Sequence, residues 1–158
     1  MRVRSIVVAA VAAVFVLSLA HTAAAQDPTG VWKMNPAKSK FSGPAPKSTT
    51  ITTTALGKGS FKTVNDTTPA TGAATHTEVT YMFDGKDNPI KGNPNADTQA
   101  YTKGADANHW TVTSKLKGKV TVTTQVVLAA DGKSRTSTQT GVDAKGAKVN
   151  NVIVYDKQ

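Results

Sequence analysis

Glycine, proline and Asx turn signals recur roughly every 8–12 residues from residue 26 onward, a spacing that favours short strands in a sandwich or barrel. Gly57-Lys58-Gly59, Asp84-Gly85, Gly92-Asn93-Pro94, Lys117-Gly118, Asp131-Gly132 and the segment around Gly146 mark the breaks. Between them, side chains alternate with a period of two. That suits a strand with one face buried and leaves no amphipathic helix.

The pattern begins at Gly30, where Trp32 and Met34 share one face and Val31 and Lys33 the other. Asn35-Pro36 then ends the strand, because proline has no N–H for the ladder. Pro36 to Lys40 has room for a single helical turn. Further strands are expected at 48–56, 60–65, 74–83, 86–91, 97–103, 109–116, 119–129, 134–140 and 149–155. The one at 86–91 must be short or at an edge, since Pro89 lies within it. In 74–83, Val79, Tyr81 and Phe83 share a face opposite His76, Glu78 and Thr80. In 109–116, Trp110, Val112 and Leu116 do the same. In 119–129, Val120, Val122, Val126 and Leu128 fall on one side with Thr124. The strand at 134–140 is polar throughout.

The expected fold is therefore all-β, an antiparallel up-and-down barrel of about 8–10 strands. A β-sandwich is the alternative. Closure is preferred because it removes the edges a threonine-rich sheet would otherwise expose.

Met1-Arg2-Val3-Arg4, the apolar run from Ser5 to Ala20 and the small residues Ala23-Ala24-Ala25 together form a secretory leader pattern. Cleavage is expected before Gln26, leaving residues 26–158 as one secreted or periplasmic domain with no membrane span. Removing Arg2 and Arg4 leaves seventeen Lys+Arg against ten acids, a net charge of +7. Fourteen alanines and only three leucines and three isoleucines in that region imply a thin core, with threonine in many strand positions. There is no cysteine, so disulfides, thiolate zinc sites and cysteine nucleophiles are absent.

Gly30-x-Trp32 on a first strand resembles the opening motif of the lipocalins, whose tryptophan closes one end of a barrel. Three longer pieces resemble a family of small, uncharacterised secreted proteins of soil bacteria that are sometimes described as lipocalin-like. They are the stretch from Gly30 to Phe41, Phe83-Asp84-Gly85-Lys86-Asp87-Asn88-Pro89 with Gly92-Asn93-Pro94, and Val149-Asn150-Asn151-Val152-Ile153-Val154-Tyr155. The resemblance covers most of the mature chain. It implies a barrel and export, gives Trp32 the barrel-closing structural role, and brings no activity.

Residues for chemistry are few. Glu78 is the sole glutamate, and His76, two positions away, projects from the same strand face. That face reads as solvated polar surface. His109 lies opposite Trp110. Asp84, Asp87, Asp97, Asp131 and Asp143 sit in or beside turns, where they bond the local backbone. They are too sparse for a calcium loop. No nucleophile elbow, phosphate loop or dinucleotide fingerprint occurs. No catalytic residue, metal ligand or cofactor is assigned, and an enzyme is the less favoured reading. Scattered lysines without an aromatic stripe argue against nucleic acid. They suit solubility or attraction to an anionic envelope surface.

Three functions follow: a binder of a small apolar or amphiphilic ligand, a basic envelope-associated module without ligand, and a small barrel enzyme. For the first, Tyr81, Phe83 and Trp110 are the expected lining residues, because each shares its face with valine rather than lysine.

Overall fold

A computed structural model of the chain describes residues 27–158, so the leader expected at 1–25 lies outside the described residues. Ten strands close into one antiparallel up-and-down barrel. They are β1 (Gly30–Met34), β2 (Ser48–Gly57), β3 (Ser60–Thr68), β4 (Thr75–Met82), β5 (Asp87–Lys91), β6 (Thr98–Lys103), β7 (His109–Leu116), β8 (Lys119–Leu128), β9 (Ser134–Val142) and β10 (Lys148–Lys157). Each strand pairs with its neighbours in sequence, and β1 closes the ring by pairing with both β2 and β10. The single sheet rules out the sandwich alternative.

Closure depends on a five-residue strand. Trp32 faces Ile51 on β2 and Lys157 on β10, and Met34 faces Tyr155. Pro36 then opens a 3-10 turn at Pro36–Lys38, capped by the Asn35 side chain, which accepts from the Lys38 amide. Asn35 Nδ2 also donates to Asp156, tying the turn to the last strand.

Tight turns arise where the sequence signals them. Lys117 and Gly118 both have positive φ (52° and 75°), the backbone of a two-residue hairpin whose twist matches the strands it joins. Pro89 acts as expected by shortening β5. That strand meets β4 through Glu78↔Lys91 and Val79↔Ile90 alone, and meets β6 through three pairs. A closed barrel has no edge strand to receive it, so the weak spot is a thin seam.

One expected face is corrected. Val120 is 54% exposed and does not share the inner face with Val122, Val126 and Leu128. A bulge lies between the Ser114↔Val122 and Lys115↔Val120 pairs of β7 and β8. The extra residue, Thr121, is buried where Val120 is exposed, and its hydroxyl donates to the Ser114 and Asn95 carbonyls.

The core has two parts. Val79, Tyr81, Tyr101, Trp110, Val112 and Val126 form one, from β4 and β6 to β8. Trp32, Met34, Ile153 and Tyr155 form the other, from β1 and β10, and Leu128 touches both.

Candidate functional site: the barrel interior

The inward face of each strand is selected by the same alternation, so the interior composition follows from ten short patterns. On β4 and β6 to β7 it is aromatic. Tyr81 and Tyr101 stack with ring centroids 3.5 Å apart, and Phe83 stands edge-on to Tyr81, Tyr101 and Trp110. Lower in the barrel the inward residues are Thr53, Thr63, Asn65, Gln99 and Gln139.

A cavity of about 120 Å³ remains between these walls. Tyr81 and Trp110, two of the three expected lining residues, border it. Phe83 is outside the lining and supports the rings behind it. Trp32 is fully buried, and its Nε1 donates to the Pro28 carbonyl at 3.1 Å.

The polar groups around the cavity are largely satisfied within the protein. Tyr101 Oη donates to Gln99 Oε1 at 2.9 Å, and Gln99 Nε2 donates to Ser114 Oγ at 3.0 Å. Asn151 Nδ2 donates to Gln139 Oε1 at 3.0 Å, and the Thr53 and Thr63 hydroxyls are 2.9 Å apart.

Arg135 differs from them all. It is the second residue of β9, is 6% exposed, and borders the cavity. Its guanidinium lies close to two rings, with the carbon 5.1 Å from the centroids of both Trp32 and Tyr155. Its Nε has no hydrogen-bond partner, and among the described residues no acidic side chain forms an ion pair with it. Ring faces offset roughly 0.5–2 kcal/mol of a buried cation's cost, whereas the burial penalty is several kcal/mol.

Burial also sets the ionisation of the neighbouring phenols. It pushes Tyr155 up to about 12 and raises Tyr101 and Tyr81 as well. Burial lowers the Arg135 pKa, while the nearby phenols pull it the other way. Arginine nonetheless stays charged.

Sequence reasoning did not single out Arg135, because both faces of β9 are polar and no apolar face shows which side points inward. A compositional signal was available. Arg135 is the only arginine after Arg4, among sixteen lysines. None of those lysines is buried.

His76 and Glu78 project from the outer surface, as their alternation implies. His76 lies 2.6 Å from Asp66 across the β3–β4 ladder and 3.3 Å from Glu78, and Glu78 also meets Lys62 at 3.1 Å. The hydrogen bond to Asp66, followed by that to Glu78, raises the His76 pKa. Among the described residues no group of three or more His, Cys, Asp or Glu is disposed to hold a metal. The cavity lining has no histidine or carboxylate, so this arrangement can bind and orient a molecule but offers no acid–base pair.

No protein-family model, curated protein or solved structure matches the chain.

Proposed function

We propose that this chain is an exported, lipocalin-like binder of one small amphiphilic molecule held inside the barrel. The observation that carries this reading is the unfilled interior: about 120 Å³, lined by Tyr81 and Trp110 together with Gln99, Gln139 and Arg135. Small barrels either fill with side chains or hold one small ligand. An apolar cavity of about 150 Å³ accommodates benzene, so the occupant is the size of a single ring or a short chain. Export rests on the leader pattern at residues 1–25.

Native mass spectrometry of the protein purified from its own host tests both halves. Loss of residues 1–25 reports export, and a non-covalent mass increment reports the ligand. A panel of single-ring and short-chain amphiphiles should then contain compounds that raise the melting temperature. Saturation to a hundred times Kd adds about 2.7 kcal/mol of stability. Trp110 fluorescence should shift in step. An intact leader would overturn export. The absence of any bound mass, together with no thermal shift across the panel, would overturn binding.

A further inference from the structure

The cavity reading leaves one question, namely which chemistry the interior selects. Among the described residues a cation at 6% exposure, with no ion-pair partner and an unsatisfied Nε, borders a space otherwise lined by groups that largely satisfy each other. The three tyrosines do not act as its counterion, because burial keeps all three phenols protonated. Trp32 and Tyr155 each lie 5.1 Å from the guanidinium carbon, and ring faces give none of the planar N–H donors of a guanidinium an oxygen acceptor.

We propose that Arg135 anchors the anionic group of the ligand, and that the ligand is a compact monocarboxylate whose apolar part lies against Tyr81 and Trp110. This rests on the reading of the interior as a ligand site and adds its charge to it. Carboxylate geometry matches the guanidinium fork. One buried positive charge balances one negative charge. A dianionic phosphate would need further donors, and none of the lysines reaches the lining. The volume suits one ring or a few methylenes.

Benzoate and its neutral isostere benzamide are the probes, titrated by calorimetry at physiological salt into protein purified from cells expressing the full chain. Benzoate should bind about tenfold to a hundredfold more tightly than benzamide, the range of a desolvated charge-assisted hydrogen bond. Arg135→Met should abolish the preference, so that benzoate binds no more tightly than benzamide. All sixteen lysines remain in that variant, so surface attraction stays constant. Arg135→Lys, which keeps the charge but loses the fork, should fall between the two. If the methionine variant does not fold, the benzoate–benzamide difference in the unaltered protein and in Arg135→Lys decides. Equal binding of the two probes, or benzoate affinity unaffected by Arg135→Met, would overturn the anion site while leaving the cavity reading intact. Failure of both probes, together with the whole amphiphile panel, would overturn the two readings together.

Discussion

Trp32 has no exposed surface, yet two cations lie close to its ring. The Arg135 guanidinium and the Lys157 ammonium each lie 5.1 Å from its ring. Removing the ring leaves a void in the core and takes one ring away from a buried charge. Trp32→Ala should therefore cost about 3–5 kcal/mol by urea denaturation, the usual range for large core aromatics. Trp32→Phe should cost less, since it keeps a ring face while losing the bond to Pro28 and part of the ring volume. An alanine variant within about 1 kcal/mol of the parent, an ordinary surface effect, would remove Trp32 from the structural core. The burial of Trp32 is legible in its strand, where Val31 and Lys33 mark the outward side. That of Arg135 is not, because Ser134-Arg135-Thr136-Ser137-Thr138-Gln139-Thr140 presents no apolar side.

Among the elements, β8 and β9 show how a period of two fails. The inserted Thr121 reverses the faces beyond it, and β9 accommodates the bulge with glycine at position 141, opposite Val122. Gly141 has φ +146°, and a Cβ there would run into the Thr121 carbonyl oxygen. Gly141→Ala should cost more than about 1 kcal/mol, as alanine does where φ is positive, with a lower urea midpoint and an unchanged slope. Gly146, at φ +84° with open space around it, is the control and should cost less on the same substitution. Equal losses at the two sites would mean that the close approach to β8 contributes nothing. The bulge itself was not legible, since Lys119-Val120-Thr121-Val122-Thr123 alternates without a break. Only pairing against β7 reveals the extra residue.

At the scale of the whole molecule, all three tyrosines of the chain have raised pKa values with the same leading cause, desolvation inside the barrel. A phenol whose folded pKa exceeds its unfolded value contributes stability that is complete below the unfolded value, about 10, and is lost as pH rises through the folded one. Stability should thus fall as the pH climbs from about 10 toward the Tyr155 value of about 12. Phenolate absorbance should appear together with loss of the near-ultraviolet circular dichroism signal. Phenols that ionise near 10 while that signal persists would show that the tyrosines are not enclosed by the barrel.

Turn positions, strand count and most strand faces were legible in the sequence, because each depends on a window of a few residues. A glycine supplies positive φ at Lys117-Gly118, Pro89 limits a ladder, and alternation places Trp32, Tyr81 and Trp110 inside. The Thr121 bulge, the place of Phe83 behind the lining and the inward aim of Arg135 depended on tertiary structure. Each is set by partners brought alongside from elsewhere in the chain: β7 against β8, Trp110 against Phe83, and Trp32 from the first strand over a guanidinium on the ninth. A period of two offers each residue one of two faces. When both faces of a strand are polar, only closure of the sheet determines which side becomes the interior.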